Sequence, residues 1–472
     1  MRYDVFLGIF RRKKGIIIET KTNKSNPLGT ADINQLLLKF AVPAIIAMLV
    51  LSLYNILDQF FIGNYVNSIG NAATNITFPL TTLCTAISLL FGIGGAAAFN
   101  LAMGAGKKNV AGKYVGSAIT AAAISGLVLT IISEVFLKKL MLLFGSSEII
   151  LPYACEYTRI TALGFPFAIL SIVGGHVIRA DGKPQIAMKC NLAGAFTNLV
   201  LDALFVIVFK WGMAGAAAAT VIGQMFAAGI ALWNVFHFQT VTLSKRDFIP
   251  NVSSVLRVSN LGMSQGFNQV AMMFVQIVSN NSFRVYGEQS IYNSEITLAV
   301  VGISTKLAMI YFAFCIGLTH AMQPIASFNY GAGNFKRTKE AFTKTRNIGS
   351  VIAIIAFLIF QIFPKQLFQL FGESNPLFLS FAAKYMRIFL FFTFINNVQP
   401  LTSTFMSAIG KPVKGMFLSL TRQILFLLPL LLILPLFWGI DGLLYAGLIA
   451  DALAFSVAVI FQIMEFKKVE YK

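Results

Sequence analysis

The sequence predicts an all-α integral membrane protein, with twelve transmembrane helices arranged as two six-helix pseudo-symmetric lobes. Three observations support this fold class. The 472-residue chain is 57% hydrophobic and 12% charged, whereas globular domains contain about 25% charged residues. Apolar segments of roughly 20 residues or more recur along the chain, each long enough to cross a bilayer core. Several short motifs of the first half also return, in the same order, in the second half.

Twelve apolar segments mark the predicted helices. They lie near 36–63, 72–98, 113–137, 152–178, 185–209, 213–237, 255–284, 296–325, 340–363, 377–408, 413–437 and 440–464. The chain then divides into a basic N-terminal tail, an N-lobe, a linker, a C-lobe and a C-terminal tail, with bounds 1–31, 32–237, 238–254, 255–465 and 466–472. The tails and the linker are expected on the cytoplasmic side.

Basic residues set this orientation. The chain has 37 Lys and Arg against 18 Asp and Glu, and the excess lies in short loops after even-numbered helices, as at Lys107, Lys183 and Lys336. Loops of this kind stay in the cytoplasm. We therefore expect a multi-pass protein of the cell (inner or plasma) membrane, with both termini cytoplasmic. This loop pattern explains the net positive charge, so the charge does not indicate a nucleic-acid-binding protein.

The two halves share motifs at equivalent positions. Gly104-Ala105-Gly106 matches Gly331-Ala332-Gly333, Gly182-Lys183-Pro184 matches Gly410-Lys411-Pro412, and Trp211-Gly212 matches Trp438-Gly439. Six helices, an even number, separate the copies, so the halves have the same orientation. They are expected to be related by an axis along the membrane normal, as in transporters built of parallel repeats.

Two acids interrupt the apolar segments of the first half. Asp58 lies in the first segment and Asp202 in the fifth, and a carboxylate at a helix centre costs about 3 kcal/mol on insertion scales. Such an acid either has a function or is satisfied by a polar neighbour that holds helices together. Asn198 precedes Asp202 by one helical turn, on the same face. Neither acid has a carboxylate counterpart in the second half, which favours a function confined to the N-lobe.

A turn at Trp211-Gly212 would bring further polar groups to a common depth. Asp202 precedes this turn by nine residues and Thr220 follows it by nine, which puts both roughly 12–13 Å from it. Asp58, Asn198, Asp202 and Thr220 then offer two carboxylates, an amide oxygen and a hydroxyl. Hard oxygen ligands suit a hard cation such as Na⁺, and adjacent carboxylates also suit proton uptake. The cluster is predicted to couple to Na⁺, H⁺ or both.

Other chemistry has little support in the sequence. The four cysteines and three histidines are scattered without metal-ligand spacing, so neither a zinc site nor a disulfide framework is indicated. A membrane-embedded enzyme would require a His/Asp or metal cluster, and none is evident. The sequence contains no GxxxxGK[ST] motif for ATP. We expect no cofactor apart from the coupling ion.

The motifs together resemble one family. They are Pro43, Tyr54-Asn55-Ile56-Leu57-Asp58, Arg179-Ala180-Asp181-Gly182-Lys183-Pro184, Asn198-xxx-Asp202, and Gln323-Pro324-Ile325 before Asn329-Tyr330-Gly331-Ala332-Gly333-Asn334. The chain resembles the multidrug and toxic compound extrusion (MATE) family, in its bacterial DinF/MepA-like branch. The resemblance implies a MATE/MOP-type fold, a V-shaped cavity between the lobes, and cation-coupled export of amphipathic, usually cationic compounds by a monomer. It assigns ion coupling to Asp58, Asn198, Asp202 and Thr220.

Three residues are candidates for the substrate cavity. Tyr54 resembles a cavity-lining position of the family, and Gln276 and Lys306 supply polar groups in the seventh and eighth helices. Lys306 can instead snorkel or pair with an acid. Asp451 in the twelfth helix is interpreted equally well as a polar interhelical contact or a transport group. The rival function is a flippase for lipid-linked saccharides from the same superfamily, which would require clustered cationic residues around a pyrophosphate.

Overall fold

A computed structural model describes residues 26–61, 68–372 and 375–470, without the side chains of 55–56, 58–60, 68–69, 71 and 468–470. Over these residues the chain is helical and contains no strand. The long helices, which we label α1 to α12, are Ile33–Phe61, Ser68–Gly104, Lys108–Val135, Leu151–Ala180, Pro184–Val208, Gly212–Phe236, Val252–Glu288, Asn293–Gly331, Phe335–Ile362, Pro376–Ala408, 412–438 and 440–470.

The predicted twelve helices are confirmed, each within several residues of its expected bounds. Within the described ranges, ten segments are long and apolar enough to cross a membrane. One of these segments, Pro412–Lys467, contains both α11 and α12. A turn at Gly439, with φ of 57°, separates the two helices. The remaining long helix, α7, is outside these ten segments. It is more polar than the others and carries Gln265, Asn268 and Gln276 among its apolar residues.

Glycines in the left-handed region reveal the repeat in the backbone. Four lie in the first half and four at the equivalent positions of the second: Gly106, Gly145, Gly182 and Gly212, then Gly333, Gly372, Gly410 and Gly439. A side chain in this conformation costs roughly 1–2 kcal/mol. At the first of the Gly-Lys-Pro turns, the Gly182 N–H donates to the Arg179 carbonyl and the Lys183 N–H donates to the Ile178 carbonyl. The same pair of bonds closes the turn at Gly410, so both halves end this helix in one way.

The lysine of each Gly-Lys-Pro turn also makes an equivalent tertiary contact. Lys183 Nζ donates to the His237 carbonyl at 2.8 Å, just after the end of α6. Lys411 Nζ pairs with Glu465 near the end of α12. In both halves the turn after the fourth helix is thus fastened to the end of the sixth. The repeat therefore extends from sequence motifs to side-chain packing.

Buried apolar side chains form two large clusters. One extends from Ala73 to Leu261, mainly on α2 to α6, and the other from Val275 to Ala450 on α7 to α12. A smaller cluster joins Leu28 and the start of α1 to α8 and α9. Each half therefore has its own core, and the segment before α1 is anchored on the other half.

Candidate functional site

Close packing of α5 against α6 brings the first group of polar residues together. A Cβ atom at Gly194 would lie 2.8 Å from the Cβ of Ala227, and one at Gly223 would lie 2.8 Å from the Gly194 carbonyl oxygen. Real Cβ atoms do not approach so closely, so larger residues at these positions would force the helices apart. Gly223 also faces the Cβ of Asn198. The two glycines thus set the distance across which Asn198 reaches α6.

Asn198 and Thr220 form a buried polar pair. Asn198 Nδ2 donates to Thr220 Oγ1 at 3.3 Å, and the two side chains are 3% and 8% exposed. Asn198 Oδ1 is buried and has no hydrogen-bond partner among the described residues. Asp202 follows one turn later and is 1% exposed. The Asn198 amide oxygen and the Thr220 hydroxyl therefore lie at the contact of α5 with α6. The Asp202 carboxylate lies one helical turn farther along α5.

The α5–α6 turn determines which residues face each other. The predicted depths placed Thr220 opposite Asp202, whereas the hydrogen bond joins it to Asn198, one turn earlier. The cause is local: α5 continues after Asp202 as a π-helix, Ala203–Val208, and the Trp211 N–H donates to the Phe205 carbonyl. The π-helix places an extra residue in each turn, and such turns often occur at functional sites.

The fourth predicted ligand, Asp58, has a side chain that lies outside the described residues. Its backbone belongs to α1, which packs against α5. Tyr54, one turn earlier on α1, is half-buried. The structure therefore brings Asn198 and Thr220 into contact and places Asp202 beside them, and the participation of Asp58 stays a prediction.

Gln276 and Lys306, the substrate-cavity candidates of the second half, form no described hydrogen bond with Asn198, Asp202 or Thr220. Gln276 Nε2 donates to Asn280 Oδ1 at 2.9 Å, on its own helix α7. Lys306 is half-buried on α8, and no ion pair to it is found among the described side chains. Their assignment to a substrate cavity stays a prediction.

The second half contains an ion pair that the sequence analysis missed. Arg422 on α11 pairs with Asp451 on α12, and Asn396 Nδ2 on α10 donates to the other Asp451 oxygen at 3.3 Å. The Arg422 side chain is 16% exposed and that of Asp451 is 2% exposed. The available signal was that Arg422 is the single basic residue between Lys414 and Lys467. Of the two interpretations of Asp451, its contacts match a polar interhelical contact.

Comparison with known proteins identifies the family. A family profile described as MatE matches residues 43–204 and 268–433, one match in each half of the chain. The chain belongs to the MatE family. The expected MATE resemblance is thereby confirmed.

Relatives of this MATE chain align along most of its length. The multidrug export protein MepA of Staphylococcus haemolyticus is 25% identical over 428 residues, which cover 90% of this chain and 92% of the relative. MepA of Staphylococcus aureus strain N315 is 24% identical over 429 residues, with the same coverage. These relatives are named as export proteins and not as enzymes.

Solved structures share the MATE fold. A crystal structure of MATE in complex with MaL6 superposes with a TM-score of 0.88 at 22% identity, covering 96% of this chain and all of that one. An outward-facing multidrug resistance MATE transporter of the MOP superfamily gives 0.87 at 22% identity, covering 95% and 99%. A MOP superfamily transporter from Pyrococcus furiosus, described as having a binding pocket of reverse polarity that suggests a different function, gives the same TM-score, identity and coverage.

The two halves of this MATE protein meet closely through backbone contacts of α2. A Cβ atom at Gly94 would lie 2.0 Å from the Val258 carbonyl oxygen of α7, and one at Gly104 would lie 2.0 Å from the Phe328 carbonyl oxygen of α8. Gln323 Nε2 of α8 also donates to the Ile93 carbonyl at 2.9 Å. These contacts lie toward the ends of the helices that carry the basic loops, so the halves are packed together at that end.

A histidine pair lies in the same interface. The rings of His176 on α4 and His320 on α8 are 4.9 Å apart and nearly perpendicular. Both side chains are buried, and a Cβ atom at Gly92 would lie 2.9 Å from the His176 ring. Two of the three histidines are thus brought together by the fold, without forming a metal-ligand group among the described residues.

Proposed function

We propose that this MATE protein is a secondary antiporter that exports small amphipathic, cationic compounds in exchange for Na⁺ or H⁺ by alternating access. Its relatives over nine-tenths of the chain are named multidrug export proteins, which supports efflux of several small molecules. One observation carries the coupling proposal: the buried Asn198–Thr220 pair with Asp202 one turn away. The protein acts in the cell membrane with both termini in the cytoplasm.

The polar groups of α5 and α6 have the chemistry that a coupling cation requires. Hard oxygen ligands suit a hard cation such as Na⁺. Asp202 supplies the negative charge, Asn198 Oδ1 an acceptor that lacks a described protein donor, and Thr220 a hydroxyl oxygen. Asp58 would add a second carboxylate from α1. Na⁺ binding and proton uptake both fit this set.

Coupling follows if cation and substrate favour different states. A ligand shifts a conformational equilibrium only by its differential affinity for the two states, and the effect of one ligand on the other is reciprocal. We propose that cation binding beside α5 draws α1, α5 and α6 together and weakens substrate binding on the outward side. Return to the inward side then releases the cation.

The contacts of the buried acid in the second half favour a coupling-ion site that is confined to the first half. Asp451 already has the Arg422 guanidinium and the Asn396 amide as partners. The Arg422 guanidinium thus supplies the positive charge opposite this carboxylate. The second half would then contribute scaffold and cavity, with one coupling site per molecule.

The alternative function is the flipping of lipid-linked saccharides. The half-buried Lys306, without a described ion pair, favours it, since a pyrophosphate would attract such a charge. A clustered set of cations in the cavity would be needed in addition. We favour drug export because the acid-containing group on α5 is suited to a cation and not to a pyrophosphate.

Transport in proteoliposomes tests the proposal. Export of a fluorescent cationic dye is measured under an imposed Na⁺ gradient and, separately, under an imposed pH gradient. Wild type is compared with Asp202→Asn and with a matched control, Asp441→Asn, in which the acid is half-exposed and pairs with Lys384. We expect Asp202→Asn to abolish gradient-driven export and Asp441→Asn to retain it. Export unaffected by Asp202→Asn would refute the coupling role, and absence of export under either gradient would favour the flippase.

A further inference from the structure

The second half contains a cleft between three of its helices. It has a volume of about 570 Å³ and is formed by α9, α10 and α12. Eight of its lining side chains are apolar: Ile354, Phe394, Ile395, Val398, Phe455, Val459, Ile463 and Phe466. Two are basic, Arg346 and Lys467. All of its lining residues belong to the second half.

The cleft is charged at one end and apolar along its length. On α9, Arg346, Ser350 and Ile354 follow each other at intervals of one helical turn, which spans roughly 12 Å. On α12, Lys467, Ile463 and Val459 are also one helical turn apart, and they lie beside the α9 residues in the reverse chain direction. The basic end therefore lies beside the N-terminal half of α9 and the C-terminal end of α12. The apolar end lies farther along both helices, at Ile354 and Val459.

The two basic side chains lack an acidic partner in the described part of the chain. Arg346 donates to the amide oxygens of Gln462 at 3.5 Å and Asn347 at 3.3 Å. Glu465, the buried acid nearest in sequence to Lys467, pairs with Lys411 and Lys414. Arg346 and Lys467 therefore bring positive charge, without an acidic partner among the described side chains, to the mouth of an apolar cleft.

We propose that this cleft binds one anionic phospholipid. Its phosphate lies between Arg346 and Lys467, and one acyl chain lies against Phe455, Val459 and Phe394. Basic pockets between transmembrane helices on the cytoplasmic side bind anionic headgroups, and Arg suits a phosphate because its donors form a planar fork. A free phosphate would make no use of the apolar lining, and a neutral lipid would make no use of the charges.

A lipid bound in the cleft would affect the buried Arg422–Asp451 ion pair through α10. This helix is interrupted by the 3₁₀ segment Phe391–Ile395, and both Phe394 and Ile395 line the cleft. The next residue, Asn396, donates to Asp451. An acyl chain packed against the interruption would hold Asn396 in place, so anionic lipid would stabilise this half of the protein.

Native mass spectrometry of the detergent-purified protein tests lipid binding. Phosphatidylglycerol and phosphatidylcholine with identical acyl chains are titrated against wild type, Arg346→Gln/Lys467→Gln, and a control, Lys108→Gln/Lys113→Gln, which removes two exposed basic residues at the basic end of the first half. We expect wild type and the control to prefer phosphatidylglycerol by about tenfold or more, and the Arg346/Lys467 variant to lose that preference. Retention of the preference in the Arg346/Lys467 variant would overturn the proposal.

Two further measurements identify the source of the phosphate and the position of the chain. Val459→Trp fills the cleft and should weaken binding of phosphatidylglycerol while leaving both basic residues in place. Glycerol phosphate, added as a soluble competitor, should not displace the lipid. Displacement by glycerol phosphate at equal concentration, or unchanged lipid binding in Val459→Trp, would refute an acyl-binding cleft. Lys467 is exposed, so Lys467→Gln alone gives a folded variant in which a partial loss is expected.

Discussion

Arg422 and Asp451 form an ion pair within the second half of the protein, where only 2% of the aspartate side chain is exposed. The two residues come from different helices, and a third helix contributes Asn396 to the same carboxylate. In the first half, by contrast, Asn198 has an amide oxygen without a described protein donor, beside a buried acid. The two halves share one fold, and the buried acid of α12 has a basic partner on α11.

Removing Arg422 should destabilise the protein by about 3 kcal/mol or more, since loss of one partner leaves a buried charge uncompensated. We expect Arg422→Gln to lower the Tm in detergent, and Arg422→Gln/Asp451→Asn to regain most of the loss. The measurement is thermal unfolding followed by intrinsic fluorescence. Equal Tm values for the single and the double variant would contradict a cost of leaving the Asp451 charge without Arg422.

Thr220→Val should weaken cation coupling while preserving side-chain shape. The substitution removes the acceptor of the Asn198 amide, and a buried polar group left unsatisfied costs about 1–3 kcal/mol. We expect the cation concentration for half-maximal dye export to rise about tenfold. Thr130→Val is the matched control, because Thr130 donates to the Ala162 carbonyl between α3 and α4, outside the proposed site. An equal shift in the two variants would assign Thr220 a packing role.

Gly223→Ala should impair the protein, whereas Gly229→Ala on the same helix should not. A methyl group at Gly223 would meet the Gly194 carbonyl oxygen at 2.8 Å, while one at Gly229 meets nothing within 4 Å. Alanine is favoured over glycine in a helix by about 1 kcal/mol, so Gly229→Ala should raise the Tm slightly. Gly223→Ala should lower both the Tm and dye export. Similar behaviour of the two variants would contradict the close approach of α5 and α6.

Arg337→Gln should loosen the segment that precedes α1. Arg337 Nη2 donates to the Ala31 carbonyl at 2.6 Å, and Asn329 Nδ2 donates to the Leu28 carbonyl at 2.8 Å. These bonds tie the segment to α8 and α9, so loss of the Arg337 bond should accelerate hydrogen exchange of amides 28–33. Lys336→Gln is the control, since Lys336 is exposed beside Arg337. Unchanged exchange in Arg337→Gln would mean that apolar packing alone holds the segment.

The sequence by itself determined the helix count, the helix bounds and the repeat. A segment in lipid must satisfy its backbone hydrogen bonds internally, so each crossing requires a long apolar helix that is visible in one dimension. The turns between helices require left-handed residues, and glycines such as Gly182 and Gly410 therefore recur in both halves. These features depend on neighbouring residues alone.

The tertiary structure decided which polar groups meet. Thr220 pairs with Asn198 and not with Asp202, because the π-helix after Asp202 and the turn that follows change the register between α5 and α6. Arg422 lies opposite Asp451 because of how α11 and α12 are rotated about their axes. Helix rotation and register result from side-chain packing between distant segments. The sequence could therefore name the buried acids, but only the folded chain gave Asp451 its partner.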